Sequence, residues 1–202
     1  MKKTRMKILA VAMALVMVAV SSSLLTIAYL TSTTGPVTNV FTNSAKVKIT
    51  LDEAKVDTYG VLVPSPSATR VTGNTYKLIP GHTYVKDPTI HVEQGSEVCY
   101  LFVEVVNPLT SIEAAGTTTI ASQMAEFGWV QISTSSNVYY LSSTVDARTA
   151  AVDQVVFSSL TLKTDADVSQ SYGNITIKAY AVQADGFTSA TAAWSATFGA
   201  TA

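Results

Sequence analysis

The chain has 202 residues, of which thirteen are basic, fourteen acidic and one a cysteine. So even a charge, with no basic stripe, excludes a nucleic-acid-binding face, and a lone thiol excludes an intrachain disulfide. The 174 residues beyond position 28 are enough for one well-buried domain and short for two.

The first predicted element is an export leader. Lys2, Lys3, Arg5 and Lys7 run into thirteen unbroken apolar residues, 8–20, followed by Ser21, Ser22 and Ser23. Thr26 and Ala28 then supply the small residues at positions −3 and −1 of a cut before Tyr29. All fourteen acidic residues and nine of the thirteen basic ones lie beyond Ala28, so cleavage leaves a formal charge of −5. The competing reading keeps 8–30 as an anchor, because such a stretch is long enough for a bilayer core of about 30 Å. The serines, Thr26 and the missing basic stop after Leu30 favour cleavage. Signal peptidase is therefore the first expected partner. Membrane contact is expected only before the cut, and the product is expected outside the cell.

Beyond the leader, β-branched and aromatic residues alternate with polar ones over 46–51, 75–79, 89–93, 98–106, 129–133, 138–142, 155–163 and 175–183. Turn formers separate these runs, among them Pro64 and Pro66, Gly73-Asn74, Pro80-Gly81, Gly95-Ser96, Asn107-Pro108 and Gly173-Asn174. Eight short strands predict an all-β fold, a single antiparallel β-sandwich of jelly-roll-like form. Two stretches break the rhythm, 120–127 and 189–194, and predict one or two short helices. The organisation expected is a leader (1–28), an N-terminal arm (29–42) and one sandwich domain (43–202).

No catalytic motif stands out. Cys99 alternates with Leu101, Val103 and Val105 and reads as a small buried hydrophobe rather than a reactive thiol. His82 and His91 are the only histidines; a His-Glu-x-x-His zinc motif is absent, and zinc would need a third ligand such as Glu93. There is no Gly-x-Ser-x-Gly elbow, phosphate-cradling glycine loop or complete EF-hand. Asp52 and Glu53, like Asp165 and Asp167, read as loop or strand-edge charges. Asn174-Ile-Thr176 fits the glycosylation sequon. No cofactor, bound metal or enzymatic activity is expected.

The most distinctive segments lie early. Ala28-Tyr29-Leu30-Thr31, then Asn39-Val40-Phe41-Thr42, then Val47, Ile49 and Leu51 follow one another in order. A second block reads Lys77-Leu78-Ile79-Pro80-Gly81, then Val85-Lys86-Asp87-Pro88-Thr89-Ile90-His91-Val92. Together, over about 40 residues, these resemble the TasA/camelysin family, exported substrates of a SipW-type signal peptidase in Gram-positive bacteria. Ser32 departs from the pattern where an acidic residue often follows the threonine, as does Ser44 where glycine is common.

The resemblance implies a secreted β-sandwich that builds extracellular fibres or biofilm matrix, with itself and other matrix proteins as partners. In β-strand addition an extended peptide of one molecule completes an exposed sheet edge of the next. Here Tyr29, Leu30, Thr31, Ser32, Thr33 and Thr34 span about 20 Å at ~3.3 Å per residue, one strand's length. Gly35-Pro36 makes a hinge behind this arm. Such a contact is head-to-tail and grows into a filament. Two alternatives stand beside it. Camelysin-type relatives carry a metalloprotease label, which His82, His91 and Glu93 would have to support. A monomeric adhesin or carbohydrate-binding module would use exposed aromatics such as Tyr139 and Tyr140, for which core packing is the competing role. No Leu-Pro-x-Thr-Gly motif occurs, so sortase attachment to the wall is not expected.

Overall fold

The computed structural model describes residues 47–64, 69–134 and 136–199. The leader, the cut site at Thr26, Ala28 and Tyr29, and the arm of residues 29–34 lie outside the described residues.

The described residues form strands β1 (Ile49–Ala54), β2 (Arg70–Val71), β3 (Thr83–Val85), β4 (Thr89–Val92) and β5 (Cys99–Val106) before helix α1 (Ile120–Glu126). Strands β6 (Trp129–Gln131), β7 (Val138–Leu141), β8 (Val152–Val155), β9 (Ser159–Thr161) and β10 (Thr176–Gln183) follow, then helix α2 (Ala190–Phe198). One antiparallel sheet has the order β2-β1-β4-β8 and a second the order β10-β5-β7-β6, while β3 and β9 pair as a ribbon. The all-β expectation holds, and both predicted helices are present. The chain passes from the first sheet to the second between β4 and β5, returns between β7 and β8, and crosses again before β10.

Period-two alternation explains how both sheets feed one core. Ile90 and Val92 of β4, Leu101, Val103 and Val105 of β5, and Trp129 and Leu141 of the second sheet's far strands join a single buried cluster. Trp129 Nε1 donates to the Val155 carbonyl at 2.9 Å, tying β6 to β8 of the other sheet. Cys99 is wholly buried in this cluster, and burial pushes its thiol up to about 11, as suits a packing residue.

The opposite face of β5 carries Phe102, covered by α2. Phe102, Val138, Val182, Ala193 and Trp194 form a second buried cluster. Trp194 and Phe198 lie one helical turn apart with ring centroids 4.5 Å from each other, and Tyr180 packs against both. Ser189 caps this helix by accepting from the Ala192 N–H at 3.1 Å. Helix α1 is capped by Thr119, and the buried Glu113 carboxylate accepts from the Ile120 N–H. Gln123 on α1 holds the helix to the ribbon: its Oε1 accepts from the Ser158 and Ser159 N–H groups, and its Nε2 donates to the Ser159 carbonyl.

Three predicted strands needed correction. The run 155–163 is two strands, β8 and β9, because the consecutive residues Val156 and Phe157 both enter the same core cluster, whereas neighbours on a regular strand face opposite sides of the sheet. The run 75–79 is extended but pairs with no strand; the Tyr84 hydroxyl takes up its Lys77 carbonyl and Ile79 N–H instead. The first strand starts later than predicted and runs on to Ala54, where Glu53 and Ala54 pair with β2. Strands of two and three residues, β2 and β3, are too short for any periodic signal.

Candidate functional site

Three features of the described surface are built from polar or unpaired groups. The first is a cleft of about 340 Å³ between the extended segment 74–78 and residues 172–175, with Tyr84 and Lys86 among its lining. Lys86 is nearly buried and its ammonium donates to Glu53 Oε2 at 2.7 Å, with Glu53 itself buried. The other Glu53 oxygen accepts from Asn74 Nδ2 at 3.0 Å, and Asn74 also bonds the Ala54 carbonyl and the Val56 N–H. The ammonium also stands 5.4 Å from the centroid of the Tyr76 ring. Burial, then the Glu53 charge, drives the Tyr76 hydroxyl far above its ordinary value, and burial raises Tyr84 too. Neither phenol is a base or nucleophile near neutral pH, and the one cation is already matched by a carboxylate. This arrangement packs or binds; it is not set up for proton transfer.

The second feature is a charge network on the outer face of the first sheet. Arg70 pairs with Asp52 through Nε, reaches Asp87 Oδ2 at 3.1 Å through Nη1, and donates through Nη2 to the Asp52 and Asp87 carbonyls. Asp87 Oδ1 accepts from the Ala54 N–H at 2.7 Å. His91 continues the network, with Nε2 at 2.8 Å from Asp52 and Nδ1 at 2.7 Å from Asp153. One imidazole thus clamps β1, β4 and β8 together.

Burial alone would lower the His91 pKa, but hydrogen bonds and charge attraction from Asp52 and Asp153 outweigh it and raise it above 6.5. The imidazolium therefore adds stability that is complete below pH 6.5 and is lost as pH climbs through the raised value. His91→Phe is expected to lower stability by up to about 1 kcal/mol at pH 6, Asp153 being well exposed, and by less at pH 8. Urea titrations of both proteins at the two pH values measure this; a gap that widens with pH contradicts it.

The two histidines do not come together. His82 lies beside the ribbon, its Nε2 2.8 Å from the Tyr59 carbonyl and its ring 4.7 Å from that of Tyr84. Both ring nitrogens of His91 are taken by carboxylates on opposite sides of the ring, and Glu93 pairs with Lys48. Among the described residues, no group of three or more His, Cys, Asp or Glu is arranged to hold a metal ion. No family model, curated protein or solved structure matches this chain. Tyr139 and Tyr140 are half-buried, one against each core cluster, so they do not form the exposed aromatic platform considered for an adhesin.

The third feature is an open sheet edge. Among the described residues, β10 ends its sheet and bonds β5 on one side only. The Ala184 N–H to Val98 carbonyl bond sets the register, so even-numbered residues of β10 exchange bonds with β5. The backbone groups of Ile177, Ala179, Ala181 and Gln183 point away from it. Across from β10 lies β1, which extends past the end of two-residue β2, leaving the outward backbone groups of Ile49 and Leu51 uncovered by that strand. Sequence reasoning did not find this edge, nor the roles of Arg70, Lys86 and Asp87. Among the described residues, no helix is long and apolar enough to cross a membrane.

Proposed function

We propose that this chain is an exported structural subunit of extracellular fibres or matrix, of the TasA/camelysin sort. It polymerises when the arm of residues 29–34 of one copy adds as a strand to a sheet edge of the next. The observation that carries this reading is β10, an eight-residue strand that, among the described residues, is bonded on one side only, beside a stretch of β1 that β2 does not cover. A long unpaired edge is a template for another strand, and proteins that stay monomeric blunt such edges with proline, bulges or charge. The even-numbered β10 side chains include Lys178 on an exposed site, but the outward backbone itself carries no proline. An arm about 20 Å long fits an edge of about 26 Å at ~3.3 Å per residue. The matrix role, the export and the sandwich form rest on the leader and on the ordered resemblance of residues 28–51 and 77–92.

The edge is testable without touching the arm. Ala179 directs its N–H away from β5, so Ala179→Pro removes no ladder bond yet blocks an incoming strand. The expected result is a folded chain by circular dichroism that forms no filaments under conditions where the parent does. Filaments of undiminished length from Ala179→Pro would rule out β10 as the acceptor.

A further inference from the structure

The loop between β1 and β2 exposes apolar side chains. Tyr59, Val61, Leu62 and Val63 are 46%, 57%, 54% and 41% exposed, four large apolar side chains within five positions. Their backbone is not loose. Asp57 Oδ1 accepts from the Tyr59 and Val61 N–H groups at 2.9 Å each, and the Asp57 N–H donates to the Val61 carbonyl. The Val85 N–H anchors the Gly60 carbonyl, the Lys77 N–H the Thr58 carbonyl and His82 the Tyr59 carbonyl. A rigid tip that holds apolar side chains in water has low ordering cost on docking. Two exposed lysines flank it: Lys55 at its base, and Lys77, whose ammonium lies 6.0 Å from the centroid of the Tyr59 ring. The one acid within the loop, Asp57, spends its carboxylate on the backbone.

We propose that this tip inserts into the surface of an anionic lipid bilayer. Tyrosine beside short aliphatic side chains suits the boundary between headgroups and acyl chains, and flanking lysines suit lipid phosphates. Strand addition from another protein fits the tip less well. The Val63 N–H is already bonded to the Lys55 carbonyl, and Pro64 has no N–H to offer. The insertion does not depend on filament formation, and it holds the subunit near a membrane whether or not the arm is engaged.

The test places an environment-sensitive, thiol-reactive fluorophore on the full chain at Leu62→Cys, with Ser143→Cys as a control on another exposed turn. The native Cys99 is fully buried and stays unlabelled in the folded protein. With vesicles of 30% phosphatidylglycerol in phosphatidylcholine, the label at 62 is expected to shift to the blue and to be quenched by brominated acyl chains. The label at 143 is expected to do neither. Adding Val61→Asp is expected to abolish the shift, and Lys55→Gln with Lys77→Gln to raise the lipid concentration needed about ten-fold. Because the readout is local, attachment of the chain through its apolar residues 8–20 does not mimic it. No shift at 62, or an equal shift on pure phosphatidylcholine, overturns the proposal. So does a shift that grows with protein concentration without lipid, which would mean that the tip meets another protein copy.

Discussion

Lys86→Ala is expected to destabilise the folded chain by about 3–5 kcal/mol, because it leaves the buried Glu53 carboxylate without its cation. The same change removes the ammonium from the Tyr76 ring face and the stem from the wall of the cleft. The urea midpoint should fall steeply with little change in the slope. Replacing both partners with methionine is the informative companion. It deletes the unmatched charge, leaves Asn74 bonded to the Ala54 carbonyl and the Val56 N–H, and is expected to recover most of the loss. A double variant as unstable as Lys86→Ala would mean that stem packing, not the unpaired carboxylate, sets the cost.

Gly60→Ala is the second large effect. Gly60 has φ +72°, a conformation that costs an L-residue roughly 1–2 kcal/mol. A methyl group there would lie 2.7 Å from Tyr84 Cβ and 2.8 Å from its Cα, so relief requires the backbone to move. Overpacking of this kind costs a further ~1–3 kcal/mol. Tyr84 is fully buried and holds the Lys77 carbonyl and Ile79 N–H through its hydroxyl, so the disturbance spreads to the cleft wall. The midpoint of thermal unfolding followed by circular dichroism is expected to drop by roughly 4–20 °C, on the scale of ~2–4 °C per kcal/mol for a domain near this size. A change of one or two degrees would mean that the loop relaxes away from Tyr84 at little cost.

Much of the strand pattern was legible because alternation is a local signal. β4, β5, β7 and β10 begin and end within a residue or two of the predicted runs, and both helices stand where alanine-rich or non-alternating segments interrupt the β rhythm. The charge clusters were not legible in the same way. Glu53, read from the sequence as a loop or strand-edge charge beyond a strand ending at Leu51, is instead buried, because β1 runs on to Ala54 and gives it the parity of Ile49 and Leu51. Which cation answers it depends on a pairing 33 residues away with Lys86, and no local pattern encodes that. His91 and Asp153 likewise meet only because β8 returns to the first sheet after three strands in the second. The sequence block Val85-Lys86-Asp87-Pro88 thus acquires a structural meaning: Lys86 holds Glu53, Asp87 holds Arg70, and the carbonyl of Pro88 accepts from Val156. The open side of β10 depends on global strand order, which hydropathy does not report.

Negative-stain electron microscopy of purified residues 29–202 beside residues 41–202 decides whether the arm drives assembly. Filaments are expected from the longer chain and monodisperse particles from the shorter one, since only the longer carries Tyr29 to Thr34. Filaments from residues 41–202 would contradict it, because a subunit that polymerises without its arm does not assemble by donating it.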